Sequence, residues 1–147
     1  PKDYLGSVDI TDGPRDLPFL RYSLRSAMGL RIESQLNRLR VKFPDIVEFD
    51  TAPSHIQAVA EGVGWGITTP LCLLQSIEYI DSVQVHPIKK GQFKRHFDLL
   101  ARENTMGDIP LRVAAEATRI LRDECMPVLF NKIPWLEEKL KWDIITD

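Results

Sequence analysis

Leu17-Pro18-Phe19-Leu20-Arg21-Tyr22 is a short apolar run behind a turn, and it reads as a β-strand. The residues after this strand decide the fold. Residues 23–29 form a polar, small-residue junction. Over 30–42, Ile32, Leu36, Leu39 and then Phe43 recur at i, i+4, i+7 and i+11, with Arg31, Gln35, Arg38 and Lys42 on the other face. That spacing predicts an amphipathic helix, stopped at Pro44. Val47-Glu48-Phe49 is a second brief strand. Thr51-Ala52-Pro53-Ser54 is a helix start, because Thr51 offers a capping hydroxyl and proline is tolerated in a first turn. Ile56, Val59 and Ala60 make its apolar stripe and Gly62 ends it. Gly64-Trp65-Gly66-Ile67-Thr68-Thr69 is then a buried strand closed by Pro70. Strands alternate with helices from 17 to 69, which predicts a parallel α/β layer structure.

The flanks are simpler. Residues 1–16 are a connector with turns at Gly6, Gly13 and Pro14. After the core, the pattern predicts a short helix over 71–79, a strand over 83–86, a turn at 89–92 and a strand over 93–101 containing Phe97, Leu99 and Ala101. Asp108 can cap a long helix over 109–129 with the stripe Val113, Ala117, Ile120, Leu121 and Val128, bent or ended by Pro127. Pro134 opens a last amphipathic piece with Trp135, Leu136, Leu140 and Trp142.

Composition narrows the function classes. The 147 residues match one ordinary domain, and 44% hydrophobic with 27% charged residues is a globular balance. A formal charge of -2 excludes a generally basic nucleic-acid binder. No apolar run approaches the ~20 residues of a membrane span. Cys72 and Cys125 lie far apart and read as two cytosolic thiols. No CxxC, HExxH or EF-hand spacing occurs, and His55, His86 and His96 form no ligand spacing, so no metal and no cofactor is expected. The start at Pro1 suggests a fragment of a longer parent.

Few residues point to chemistry. Gly62-Val63-Gly64-Trp65-Gly66 is the densest glycine cluster, but a nucleotide-binding fingerprint follows a strand and opens a helix. Here the glycines close a helix and open a strand, the pattern of a helix C-cap followed by a closely packed strand. Arg21, Ser23, Arg25 and Ser26 fall just beyond the C-terminal end of the first strand, where open α/β sheets bind ligands. Guanidinium groups, serine hydroxyls and a helix N-terminus suit an anion there; the two arginines suit a solvated surface equally. Thr51 and Ser54 can cap the second helix and line the same cleft. Arg31, Arg38, Arg40 and Lys42 form a solvated or subunit-contact face. Ser23, Ser54 and His55 could serve as nucleophile or base. No G-x-S-x-G elbow and no carboxylate pair accompanies them, so no enzyme is expected.

Taken together, several segments resemble the effector (substrate)-binding domain of LysR-type transcriptional regulators, specifically its C-terminal part. They are Leu17-Pro18-Phe19-Leu20-Arg21-Tyr22-Ser23, Gly29, the helix Ile32-Glu33-Ser34-Gln35-Leu36-Asn37-Arg38-Leu39, Phe49-Asp50-Thr51, and Ala58-Val59-Ala60-Glu61-Gly62-Val63-Gly64-Trp65-Gly66-Ile67-Thr68-Thr69-Pro70-Leu71. The last resembles the family's V-A-x-G-x-G-x-x-x-x-P element. Pro1-Lys2-Asp3-Tyr4 is similar to a strand crossing between the family's two subdomains.

The resemblance implies a fold like the type II periplasmic binding proteins. Residues 1–16 would be the crossover, 17–92 a complete second α/β subdomain, 93–130 the return strand and C-terminal helix of the first, and 131–147 a tail. It implies a bacterial, cytoplasmic sensor of a small, anionic metabolite, bound by Arg21, Tyr22, Ser23, Thr51, Ser54 and Trp65. A homodimer or higher oligomer would form through about 30–42 and 47–49. DNA would be met only through an N-terminal domain absent from this sequence. A solute-binding protein of the same fold, working in transport, is the alternative.

Overall fold

The computed structural model describes residues 1–6, 9–11, 13, 14, 16–43, 46–89, 97–102 and 105–140. The chain divides into two compact units, Pro1–Phe93 and Lys94–Asp147.

The first unit is an α/β fold. Its sheet contains β1 (Phe19–Tyr22), β2 (Ile46–Phe49) and β3 (Trp65–Gly66), all parallel, in the order β2-β1-β3. Phe19 lies opposite Ile46 on one side and Trp65 on the other; Leu20 lies opposite Val47 and Gly66. Helices α1 (Ala27–Leu39) and α2 (Ala52–Ala60) connect the strands. Because side chains alternate along a strand, Phe19 and Arg21 face one side and Leu20 and Tyr22 the other. Arg21 reaches Glu33 of α1 at 4.0 Å, so α1 covers the first face. His55 of α2 stacks on Tyr22 with ring centroids 4.4 Å apart, so α2 covers the second. Leu20, on the second face, is fully buried.

Both helices begin where the capping chemistry dictates. The Ser26 hydroxyl oxygen accepts from the Gly29 N–H at 2.9 Å and its proton goes to the Ser23 carbonyl at 2.8 Å. That cap starts α1 at residue 27, earlier than the apolar spacing over 30–42 predicts. The helix also ends earlier. Arg40 adopts the left-handed conformation (φ 57°), and the Val41 N–H returns to the Leu36 carbonyl at 3.0 Å. Thr51 caps α2, and Gly62 (φ 78°) turns the chain out of it.

The core joins Phe19, Tyr22, Met28, Ile32, Leu36, Ala52, Ile67 and Cys72. Burial of the larger of these side chains contributes about 1.5–3 kcal/mol each. Phe19, Phe43 and Trp65 form an aromatic trio with centroid separations of 4.6, 5.0 and 4.9 Å. After β3 come α3 (Pro70–Leu74) and a 3-10 turn over Ile77–Ser82.

The strand expected over 83–86 is not formed. The segment instead meets the start of the chain through a side chain: the Gln84 amide donates to the Lys2 and Tyr4 carbonyls at 2.5 and 3.2 Å. Those carbonyls are occupied by an amide group where a sheet ladder would need a backbone N–H.

In the second unit, residues 97–101 are not in a strand, and 93–96 lie outside the described residues, as do most of the turn expected at 89–92 and the last residues, Trp142 among them. The helix expected over 109–129 is interrupted. It runs as α4 (Ile109–Arg119), a π-helical segment Ile120–Cys125, and α5 (Met126–Lys132), followed by α6 (Trp135–Lys139). Pro127 is the cause. It has no N–H, and its ring would strike the carbonyl four residues back. The ladder widens, and the Met126 N–H bonds the Leu121 carbonyl five residues earlier. Met126, Leu129, Ile133 and Leu136 are the buried apolar side chains of this unit among the described residues.

Candidate functional site

All three strands point their C-terminal ends the same way, and the helices α1 and α2 start there. The order β2-β1-β3 makes the junction of β1 with β3 a topological switch point, the place where such sheets bind ligands. The Tyr22 and Thr68 hydroxyls share a hydrogen bond of 2.8 Å across that junction. Burial pushes the Tyr22 phenol well above its ordinary range, so it stays neutral.

Beside it, the Ser23 N–H donates to the Phe49 carbonyl at 2.8 Å, tying the ends of β1 and β2 together. Ser23 is 1% exposed, and its hydroxyl accepts from the Arg25 N–H and Nε at 3.3 and 3.4 Å. The Arg25 guanidinium then meets Asp50 at 3.2 Å. Those two side chains are 82% and 67% exposed, so solvent screens the pair and it contributes little stability. An incoming anion can compete for Arg25. Thr51 and Ser54 are exposed on the adjoining helix start. Thr51 accepts from the Ser54 N–H at 3.3 Å and donates to the Ser54 hydroxyl at 2.9 Å.

The expected site residues therefore separate into groups. Tyr22, Ser23, Thr51 and Ser54 stand at one end of the sheet. Arg21 does not offer a free guanidinium, because Nε and Nη2 donate to Glu48 at 3.0 and 2.8 Å. It joins β1 to β2 on the face beneath α1. Trp65 opposes Phe19, at the start of β1, and packs in the aromatic trio away from the strand ends.

Two residues at this end were not among the expected site residues. Thr68 partners Tyr22; in the sequence it falls within the strand read over 64–69, where nothing marks it as a site residue. Asp50 balances Arg25, and nothing in its spacing announced that role. Among the described residues no group of three His, Cys, Asp or Glu side chains could hold a metal ion, and no helix is long and apolar enough to cross a membrane.

His55 lies beneath this end, 1% exposed. Its Nε2–H donates to the Leu20 carbonyl at 2.8 Å, which leaves Nδ1 buried without a partner. Burial lowers its pKa below 6.5, outweighing the bond to Leu20. The unfolded chain therefore binds a proton that the folded chain resists. Stability from this residue is complete above pH 6.5 and is lost as pH falls toward the lowered folded value. Denaturant titrations should show stability declining below that pH in the wild type, with a shallower decline in His55→Ala. Equal slopes would remove His55 as the cause.

Comparison of this chain with protein-family models, curated proteins and solved structures gives no match.

Proposed function

We propose that this chain is the effector-sensing part of a LysR-type transcriptional regulator, and that it binds a small anionic metabolite at the C-terminal ends of β1 and β2. In this reading the first unit is a regulatory subdomain of the type II periplasmic-binding-protein kind. DNA binding belongs to a separate N-terminal domain of the parent.

The observation that carries the reading is the pairing of two helix starts at one sheet end. α1 and α2, of 13 and 9 residues, cover opposite faces of the sheet but both begin at its C-terminal end, where Arg25 before α1 meets Asp50 before α2 at 3.2 Å. Each start concentrates backbone N–H groups and the positive end of a helix dipole. Arg25 adds an exposed, weakly engaged guanidinium, and Thr51 and Ser54 add hydroxyls. Asp50 pairs with Arg25 at 3.2 Å. The ligand's anionic group displaces Asp50 from Arg25 and receives charge-assisted bonds from it. Arg21 keeps the β1 and β2 ends aligned through Glu48 and is not a ligand contact. A regulatory output requires the two arrangements of the parent to bind the effector with different affinity.

Thermal-shift and calorimetric titration with a panel of small mono- and dicarboxylates, each beside its neutral amide, tests this. An acid that binds should lose about tenfold in affinity in Arg25→Ala, the scale of one charge-assisted hydrogen bond. Folding stability should stay unchanged, because the Arg25 pair is exposed. In the full-length parent the same acid should alter affinity for operator DNA. Binding of amides and acids alike, or acid binding indifferent to Arg25→Ala, would reject the site.

A further inference from the structure

We propose that the ligand of this site is an α-amino acid, its carboxylate taken by Arg25 and its ammonium group by Asp50. The inference rests on the anion site proposed above and names its ligand class.

Arg25 and Asp50 stand just before α1 and α2, past the ends of β1 and β2, and both are exposed. The guanidinium is engaged unevenly. Nε donates to the buried Ser23 hydroxyl at 3.4 Å, and Nη2 faces both Asp50 oxygens, at 3.2 and 3.3 Å. One nitrogen shared between two oxygens lacks the parallel fork that makes arginine–carboxylate pairs strong. Among the described residues Nη1 makes no hydrogen bond. The pair is therefore an exchangeable cation and anion, side by side, with a donor edge still open. Arg21 adds no open charge, because Glu48 already holds it.

A plain carboxylate meets a conflict here. The charges of Arg25 and Asp50 sum to zero. A carboxylate on Nη1 lies beside that of Asp50 and is repelled by it. A carboxylate on Nη2 displaces Asp50 and leaves it only water as a partner. An ammonium group on the carbon next to the carboxylate removes the conflict. The carboxylate takes Arg25, the ammonium takes Asp50, and each protein charge keeps an opposite partner. The two charges of an α-amino acid are close neighbours, as those of Arg25 and Asp50 are across one hydrogen bond. The site is open to solvent, so each pairing contributes modestly, and Kd falls in the millimolar class.

Nuclear magnetic resonance titration of the nitrogen-labelled full chain tests the proposal. The probes are L-alanine, L-leucine and L-glutamate, each beside the acid that lacks its amino group: propionate, isocaproate and glutarate. At least one amino acid should shift the amides of Arg25 and Thr51. It should bind about tenfold more tightly than its des-amino partner, the scale of one charge-assisted hydrogen bond. Asp50→Asn should bring that preference to about one, because the ammonium loses its partner and the plain acid loses its repulsion. Circular dichroism should be unchanged in Asp50→Asn, since Asp50 is exposed and Thr51 caps α2. Plain acids that bind through Arg25 with no preference for the amino group overturn this inference and leave the anion site standing. A preference that survives Asp50→Asn does the same. If neither amino acids nor plain acids shift these amides, the anion site and this inference fall together.

Discussion

Gly29→Ala should destabilise the sheet-bearing unit by about 2–3 kcal/mol, although alanine is ordinarily the better helix residue by about 1 kcal/mol. The reversal has a specific cause. A Cβ at Gly29 would come within 2.6 Å of the Tyr22 carbonyl oxygen and 2.7 Å of the Ser23 carbonyl carbon. These are backbone atoms and cannot rotate aside. Nor can the loop give way easily, because the Ser23 N–H is held by Phe49 and its carbonyl receives the Ser26 hydroxyl. The start of α1 must move off the end of β1, straining the Ser26 cap. Urea unfolding checks the sign, with Gly62→Ala as the comparison. Gly62 has φ 78° and no atom within 4 Å of an added Cβ, so that change carries only left-handed backbone strain, about 1–2 kcal/mol. A Gly29→Ala protein as stable as wild type would show that α1 does not approach β1 this closely.

The fold was readable wherever a local rule and the tertiary environment agreed. The alternation from β1 to β3 follows from apolar runs separated by helical spacing, and Ser26 and Thr51 cap where their hydroxyls permit. Disagreement arose where a long-range contact decided. Val83 and Val85 alternate as a strand would, yet Gln84 binds the backbone of Lys2 and Tyr4 with its side chain. Pro127 reads as a bend or an end of the helix, but the widened π-helical segment before it depends on how the ladder is repaired. The site was half readable for the same reason. Thr51, Ser54, Tyr22 and Ser23 gather at one end because strand ends and helix starts coincide in a parallel sheet. Arg21 and Arg25 look equivalent in sequence. Their difference comes from strand register: Arg21 lies opposite Glu48 and is held by it, whereas Arg25 lies past the strand and reaches an exposed Asp50.

The interior beneath that end supplies the largest expected effect. Gly66→Ala should cost about 4 kcal/mol, combining overpacking with loss of a buried hydrogen bond. A Cβ there would lie 2.6 Å from His55 Cε1, clash with Nε2 and sit 2.7 Å from the Leu20 carbonyl oxygen. It would intrude on the bond between His55 and Leu20, so the imidazole must leave its place between Tyr22 and Phe49. Two consequences separate this account from a general intolerance of alanine in β3. First, the change should cost less in a His55→Ala background, because the ring it displaces is gone. A double-mutant cycle by urea unfolding should give a coupling of about 2 kcal/mol; the contact with the Leu20 carbonyl keeps it from cancelling completely. Second, a displaced imidazole is no longer desolvated, so the loss of stability below pH 6.5 should flatten in Gly66→Ala as it does in His55→Ala. Additive costs in the cycle, with the pH slope intact, would place the strain at the Leu20 carbonyl alone and leave His55 free of it.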